Sequence, residues 1–284
     1  MKHPFLGICF LIISNLSSFA QQSEELTEIL IIGVNHNRTK KINYNKLYQL
    51  LEKNKPDLIL WEQSEDFESV FGLRTAYRLK IFSNGTEQLA LQVFNKKNRL
   101  IPILGFDTSF SSRKNDIKES ISRGKYSKEE RVSRKTYLKE TIRIDDAFFT
   151  KLYQSKLNNE DSLKYRTYVD LHNNYVYDLY NKSFEEINLP VIYNKAKEME
   201  EMESNVFIPL ARKYMIDSIA INEYITDLNF GKARNSYMVQ KILDIASAYK
   251  GKRIIVLTGL SHKHFLTDEL NKQTKMNLKL LDLK

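Results

Sequence analysis

Two histidines end the same four-residue pattern, one near the start of the chain and one near its end. The first pattern is Gly33-x-x-His36 and the second is Gly259-x-x-His262, and an acidic residue, Glu62, follows an apolar run between them. Imidazole and carboxylate groups that meet at one place can hold a divalent metal ion, or can transfer protons as a general acid and a general base. These residues predict a metal site or an acid–base site if the fold brings them together.

The elements that would position these residues are short apolar runs of the kind that form buried parallel strands. Four runs precede polar candidates, and a fifth is expected at an edge of the sheet. They are Ile29–Ile32, Leu58–Trp61, Ile101–Leu104, Ile254–Leu257 and Leu278–Leu283. Helical patterns precede the second, third and fourth runs. This alternation predicts an α/β fold with a mostly parallel central sheet flanked by helices.

Ligands of open parallel sheets bind at the edge where the strands end. We therefore expect His36, Glu62 and His262 to meet there, with Asp107 after the third strand as a further candidate. The glycines are expected to form tight turns that aim the following side chains over this edge. Each side chain alone also fits a structural role, as a helix cap or a solvated charge. For Asp107 two roles stay open: it orients a histidine, or it caps the helix that follows.

A single domain, residues 23–284, is predicted after the start of the chain. Between about residues 112 and 229 the strand pattern stops and apolar residues recur at helical spacing, which predicts a large all-helical insertion. The insertion is a candidate lid. It holds 11 basic and 5 acidic residues between Arg113 and Arg143. A solvated helical face explains this surplus better than nucleic-acid binding, because the chain is expected to leave the cytoplasm.

Residues 1–22 have the pattern of a secretory signal peptide. Lys2 precedes the apolar run Phe5–Ile13, and Ser18-Phe19-Ala20 is a small-x-small cleavage site. The run is shorter than the roughly 20 residues that span a bilayer, and no later run is long enough. An exported protein, periplasmic or extracellular, is therefore expected, with an uncleaved anchor as the alternative. Cys9, the one cysteine, lies in this run, so a disulfide scaffold and a cysteine-ligated zinc site are excluded.

The composition is that of a globular protein. Of the 284 residues, 42% are hydrophobic and 28% are charged, with only 9 Gly and 5 Pro. These values exclude a disordered or collagen-like chain. The formal net charge of +9 is a moderate surplus and selects no class of partner.

Four motifs resemble those of the TraB/PrgY, GumN and Tiki superfamily, which also takes in ChaN and erythromycin-esterase-like proteins. Both Gly-x-x-His motifs are similar to its pair. The stretch Pro56–Glu62 (PDLILWE) resembles its motif with a Glu that closes the second strand, and Ala233–Met238 (ARNSYM) resembles its Arg motif. The resemblance covers about residues 28–110 and 230–284 and leaves the insertion out.

The resemblance implies a Tiki-like α/β fold in which His36, Glu62, Arg234 and His262 line one site. In the Tiki branch this is the site of a metal-dependent protease, and in the erythromycin-esterase branch the same scaffold hydrolyses an ester. The ChaN branch is associated with haem or iron, and the PrgY branch blocks a peptide signal. Tiki proteins also carry a membrane anchor, for which this sequence has no apolar run after its signal peptide.

We therefore predict a hydrolase assisted by a divalent metal ion, Zn, Mn or Co. His36 and His262 would bind the ion through imidazole nitrogens, and Glu62 would be a third ligand or the base that activates water. An open coordination position would lower the pKa of a bound water toward neutrality.

Two further residues have alternative roles. Arg234 is predicted to stabilise an oxyanion or bind a substrate carboxylate through its planar guanidinium. The alternative role of Arg234 is structural: an ion pair with Glu62 or Asp107 that only supports the loops. His264 is expected to begin the helix after the second motif with its ring in solvent, with an extra metal ligand as the alternative.

Three classes of function fit these residues. The favoured class is a hydrolase, a peptidase or esterase, acting on a peptide or small ester. The second is a binding protein that uses the same cleft for haem, a metal or a peptide signal without turnover. The third is a scaffold in which the helical insertion does the work. The sequence decides neither the substrate nor the oligomeric state.

Overall fold

A five-stranded parallel sheet forms the centre of the protein. The computed structural model describes residues 25–35, 43–64, 86–107, 144, 147–274 and 276–283. The strands are β1 Thr27–Val34, β2 Leu58–Ser64, β3 Ile103–Asp107, β4 Arg253–Gly259 and β5 Leu278–Leu281, arranged in the order β3-β2-β4-β1-β5. All strand pairs are parallel. The predicted α/β class is confirmed, and the last strand lies at an edge as expected.

Eight α-helices accompany the sheet within the described ranges. They are α1 Tyr44–Asn54, α2 Thr86–Lys97, α3 Asn159–Asn181, α4 Phe184–Ile187, α5 Pro190–Met202, α6 Ile208–Lys213, α7 Ser218–Ala248 and α8 Leu260–Asn271. Residues 147–154 are helical as well, and a π-helical turn, Glu203–Phe207, joins α5 to α6. In this part of the chain no helix has both the length and the apolar character that crossing a membrane requires.

Both faces of the sheet are buried. Because successive strand residues point to opposite faces, Leu30 and Ile32 pack with α1, α2, α4 and α5, whereas Ile29 and Ile31 pack with α7 and α8. A strand that is covered on both faces has no polar face. This explains why the strands read as continuous apolar runs rather than as alternating ones.

The described part of the predicted insertion is helical and contains no strand. It has its own apolar cluster, in which Phe148 stacks on Tyr224 with ring centroids 4.0 Å apart. Helix α7 starts in this region, passes residue 229 without a break and ends beside the sheet. Residues 112–143, the signal peptide 1–22 and His36 lie outside the described residues, so the predictions for them stay predictions.

The ends of four strands meet at one edge of the sheet. The register pairs Val34 with Gly259, Trp61 with Leu257 and Ser64 with Asp107. Residues that follow the apolar runs are therefore neighbours in space, although Val34 and Gly259, for example, are 225 positions apart along the chain.

Gly33 and Gly259 lie at this edge but form no tight turn. Gly33 is in β1, and Gly259 ends β4 and caps α8 with a φ of −55°, which any residue adopts. A Cβ on Gly33 would lie 2.3 Å from Cδ1 of Leu260 and 3.3 Å from Oδ1 of Asn188. Gly33 therefore serves close packing of the strand against two neighbours, which the sequence pattern did not reveal.

Two glycine substitutions are expected to shift stability in opposite directions. Gly33→Ala should lower the free energy of unfolding by about 1–3 kcal/mol, because the added methyl overpacks a buried contact. Gly231→Ala should raise it by about 0.5–1 kcal/mol, because Gly231 lies within α7 and an added Cβ meets nothing within 4 Å. Urea unfolding of both variants checks the prediction, and equal signs would contradict it.

Candidate active site

The guanidinium of Arg234 lies at the carboxyl edge of the sheet between two carboxylates. Its Nε donates to Oδ1 of Asp107 at 2.9 Å and its Nη2 to Oδ2 at 2.6 Å, a bidentate pair. Nη2 also donates to Oε1 of Glu62 at 2.8 Å. Helix α7 positions Arg234 by burying Met238 and Ile242, four and eight residues further on, against the sheet.

Glu62 is held by donors from two directions. Besides Arg234, the hydroxyl of Thr258 donates to its Oε2 at 2.8 Å, and the backbone N–H of Gly259 makes a short hydrogen bond to the same oxygen. Strand β2 lies beside β4, so Glu62 faces the residues where β4 becomes α8. The amino terminus of α8 adds a favourable dipole for a carboxylate whose side chain is only 9% exposed.

His262 has a defined tautomer. Its Nε2 lies 3.1 Å from Nη1 of Arg234, and its Nδ1 lies 2.6 Å from Oδ1 of Asn235. A guanidinium can only donate, so Nε2 must accept. The proton therefore resides on Nδ1, which donates to Asn235. The ring is a neutral imidazole whose Nε2 lone pair faces the charged groups.

Among the described residues, two carboxylates share one guanidinium. Glu62 and Asp107 both accept hydrogen bonds from Arg234, while His262 is neutral. Burial lowers the pKa of Arg234, but its hydrogen bonds and ion pairs with Asp107 and Glu62 outweigh burial and raise it. Arg234 is thus permanently charged.

The structure brings four predicted residues together and pairs Asp107 with Arg234, which was the alternative role predicted for Arg234. Glu62, Asp107, Arg234 and His262 meet within hydrogen-bonding distance. Asp107, 1% exposed, binds Arg234 through both oxygens. The ion pairs that were the alternative role for Arg234 are both present. The fifth predicted residue, His36, comes directly after Asn35 and lies outside the described residues.

The expectation for His264 is wrong. It lies in α8 as predicted, but its ring is buried rather than in solvent, with 4% of the residue exposed. The reason is tertiary, because α8 packs on α5 and the ring faces Glu200, with 3.5 Å between Nε2 and Oε2. Burial lowers the pKa of His264 to about 4. His172, by contrast, is exposed on α3.

Sequence reasoning missed two amides that support the site. Asn235 orients His262, and its only signal is its place next to Arg234 in the Arg motif. Asn188, from the turn after α4, accepts the N–H of Gly33 at 2.7 Å and donates to its carbonyl at 2.9 Å. No local pattern marks Asn188, because its partner is 155 residues away. These contacts fix the strand that leads to the first Gly-x-x-His motif.

A buried lysine adjoins this amide. Nζ of Lys263 donates to Oδ1 and O of Asn188 at 2.7 and 3.1 Å, and it lies 4.9 Å from the ring centroid of Tyr193. Burial lowers the pKa of Lys263 from 10.5 to about 7. Burial of the charged ammonium group therefore destabilises the fold, and the hydrogen bonds to the two oxygens of Asn188 offset only part of this effect.

This shift predicts a pH dependence of stability. Between about pH 7 and pH 10 the unfolded chain keeps the Lys263 proton while the folded chain loses it, so the free energy of unfolding should rise with pH, by up to about 1 kcal/mol per unit. Because other groups also titrate in this range, the comparison is with Lys263→Met. Between pH 6 and pH 10, the free energy of unfolding of wild type should rise relative to that of Lys263→Met, as denaturation curves would measure. A difference between the two proteins that does not change with pH would contradict this prediction.

A cavity of about 370 Å³ lies beside His262 and Asn235, between α3, α5, α7 and α8. Tyr175, Met199 and Leu228 form much of its apolar wall. The candidate catalytic histidine thus has a space next to it that can receive part of a substrate.

The described donors fit a metal ion only in part. Oε1 of Glu62 and Nε2 of His262 are 3.7 Å apart, a span that one ion could bridge. Arg234 donates to both atoms, however, so its guanidinium takes the position where that ion would bind. In the described residues no group of three or more His, Cys, Asp or Glu side chains is arranged to hold a metal.

Comparison of the chain with protein-family models, with curated proteins and with solved structures finds no match in any of the three sets. The resemblance to the TraB/PrgY, GumN and Tiki superfamily therefore stays a prediction, which rests on the four motifs.

Proposed function

We propose that this protein is an exported hydrolase, a peptidase or esterase of TraB, GumN and Tiki type. One observation carries the proposal. Glu62, Asp107, Arg234 and His262, which come from four different elements, meet in a largely buried hydrogen-bonded cluster beside a cavity. A purely structural cluster would not require a neutral histidine that faces a guanidinium.

In the proposed reaction His262 is the general base. A water molecule at its Nε2 gives up a proton to the ring as its oxygen attacks the carbonyl carbon of the substrate. Asn235 holds the Nδ1 proton, and the carboxylate of Glu62, with its Oε1 at 3.7 Å from Nε2, stabilises the imidazolium. The same proton then passes to the leaving alkoxide or amine as the C–O or C–N bond breaks.

Arg234 is the proposed oxyanion donor. As water takes its place at Nε2 of His262, the Nη1 hydrogens become available to the carbonyl oxygen of the substrate. Asp107 holds the other side of the guanidinium bidentately, so the donor stays oriented during this exchange. Preorganised donors of this kind lower the barrier because they need little rearrangement as charge develops.

A metal-assisted form of the same hydrolysis is the second candidate, and the 3.7 Å span between Glu62 and His262 favours it. The ion, with His36 as the remaining predicted ligand, would have to displace Arg234 from both atoms. It would supply a bound water of lowered pKa. Metal content by mass spectrometry, compared between wild type and Arg234→Gln, separates the two forms. If the metal-assisted form is correct, Arg234→Gln should bind at least as much metal as wild type.

The proposal is tested with the mature chain and panels of p-nitrophenyl esters and fluorogenic peptides, with and without Zn, Mn or Co. Wild type should hydrolyse at least one panel, and Glu62→Gln should lower kcat at least tenfold. His172→Gln, on the exposed face of α3, is the matched control and should retain activity. No hydrolysis by wild type under any of these conditions would leave the binding-protein alternative, for which uptake of haem or a peptide is the assay.

A further inference from the structure

One buried amide of the insertion joins the two strands of evidence for the site, the first and the second Gly-x-x-His motif. The side chain of Asn188 makes four hydrogen bonds. Nδ2 donates to the carbonyls of Gly33 and Phe184 at 2.9 and 2.8 Å, and Oδ1 accepts the N–H of Gly33 and Nζ of Lys263, both at 2.7 Å. Asn188 therefore connects the end of β1 with the residue that follows His262 on α8.

The local structure holds Asn188 in place. The one-turn helix α4 begins with a capping box, formed by Ser183 and Glu186, and its last turn is closed by Asn188, whose Nδ2 caps the carbonyl of Phe184. Phe184 and Ile187 are fully buried in the same apolar cluster as β1. Because packing and capping fix the amide on its own element, it can orient the two other elements that it binds.

These contacts also set the rotation of α8 about its axis. Leu260 and Lys263 are three residues apart and lie on one face of the helix. Leu260 packs so closely on Gly33 that a Cβ would not fit between them, and Lys263 is held by Asn188. His262 points about 100° away from Lys263 around the axis, toward α7. A helix that is fixed at two points on one face cannot turn, so the direction of His262 is fixed as well.

Stability does not explain why a lysine is at position 263. The residue is buried, and burial lowers the pKa of Lys263 to about 7. The ring of Tyr193 on α5 and the carboxylate of Asp282 after β5 face the ammonium favourably but do not cancel the effect of burial. A methionine would fill a similar volume without a buried charge. Loss of stability at a functional position is a common consequence of selection for activity.

We propose that Asn188 and Lys263 are positioning residues of the candidate site, through which the helical insertion sets the rotation of α8 and with it the direction of His262. Neither residue lines the cavity beside His262, so each acts through this histidine. The effect on catalysis rests on the proposed function, but the orientation of His262 does not require turnover. The insertion is then an integral part of the site and more than a lid.

The ring nitrogens of His262 report its orientation without any substrate. A long-range 1H–15N spectrum of wild type, recorded where the ring is neutral, should show one tautomer with the proton on Nδ1, and loss of these signals in His262→Gln assigns them. Asn188→Ala and Lys263→Met should each shift the signals toward a mixture of tautomers, because the ring leaves its fixed position beside Arg234. Mixed tautomers in wild type, or unchanged signals in both variants, would overturn the proposal.

Asn98 offers a matched control at the opposite edge of the sheet. Its Nδ2 likewise joins two elements, since it donates to Oε1 of Glu52 on α1 at 2.6 Å and to the carbonyl of Phe94 on α2 at 3.2 Å. Asn98→Ala should leave the His262 signals and kcat unchanged. A change as large as that in Asn188→Ala would mean that any lost bridge disturbs the histidine, which contradicts a specific positioning role.

Stability and turnover should separate in Lys263→Met. At neutral pH its free energy of unfolding should equal or exceed that of wild type, because Met removes a buried charge. Its kcat should fall about tenfold with little change in KM, because a displaced base acts less well in the transition state. Asn188→Ala should lower both stability and kcat, and if it does not fold, Lys263→Met alone decides. An unchanged kcat in Lys263→Met would overturn the proposal.

The two readouts separate this inference from the proposed function. Mixed tautomers in both variants, in a protein that hydrolyses no ester or peptide, would support the positioning role and contradict the hydrolase. Hydrolysis that depends on Glu62, with kcat and ring signals unchanged in Asn188→Ala and Lys263→Met, would support the hydrolase and contradict the positioning role.

Discussion

Replacing Arg234 with Met is expected to lower the free energy of unfolding by about 3–5 kcal/mol and to abolish hydrolysis. The side chain is 13% exposed, and the two carboxylates that it binds, Asp107 and Glu62, are 1% and 9% exposed. Met fills a similar volume but leaves both charges buried without their partner, which is the costly case for a buried ion pair. Thermal and urea unfolding measure the loss.

Arg253 provides the matched control for this variant. It donates to Glu28 at the opposite edge of the sheet, but the two side chains are 38% and 25% exposed. Because water screens such a pair, Arg253→Met should cost about 1 kcal/mol or less. Similar losses for Arg234→Met and Arg253→Met would contradict the view that the site is buried and charge-coupled.

A second substitution should recover part of the loss. In Arg234→Met, the further change Asp107→Leu removes one of the two buried carboxylates that have lost Arg234. The double variant should therefore be more stable than Arg234→Met, and the two effects should not add. Additive losses would show that Arg234 and Asp107 contribute independently.

Replacing His262 with Gln is expected to lower kcat by about 10²- to 10⁴-fold with a much smaller change in KM, because a general base contributes in the transition state. Gln can still accept a hydrogen bond from Arg234, so the fold should be retained. Initial-rate assays with the best substrate of the panel measure kcat and KM. A loss in KM alone would mean that His262 only binds substrate.

Asn235→Leu distinguishes a base from a binding group at His262. It removes the acceptor that holds the Nδ1 proton at 2.6 Å. We expect a smaller loss of kcat than in His262→Gln, together with a shift of the acidic limb of the pH–rate profile, because the imidazolium loses its partner. A pH profile that stays in place would contradict the proposed role of His262.

The sheet and its polar edge were predictable from the sequence for a simple physical reason. Strands buried on both faces must be apolar throughout, so runs such as Leu58–Trp61 and Ile254–Leu257 stand out without any partner being known. Parallel strands also end at the same edge. Glu62, Asp107 and His262, which follow such runs, could therefore be predicted as neighbours.

The contacts inside the site were not predictable in the same way. Asn188 holds Gly33 from 155 residues away, and His264 is buried because α8 packs on α5. Neither effect leaves a pattern among adjacent residues. The cavity is likewise formed by side chains from four helices, two of which, α3 and α5, belong to the predicted insertion that the resemblance leaves out.

The sequence by itself determined the α/β class, the strand positions and the types of side chain at the sheet edge, because these depend on local hydrophobicity and on the geometry of parallel strands. Only the tertiary structure decided how Arg234 is shared among Asp107, Glu62 and His262, that the histidine is a neutral Nδ1 tautomer, and that a cavity lies beside it. Hydrogen bonds, burial and charge balance depend on which distant residues meet, and packing alone decides that.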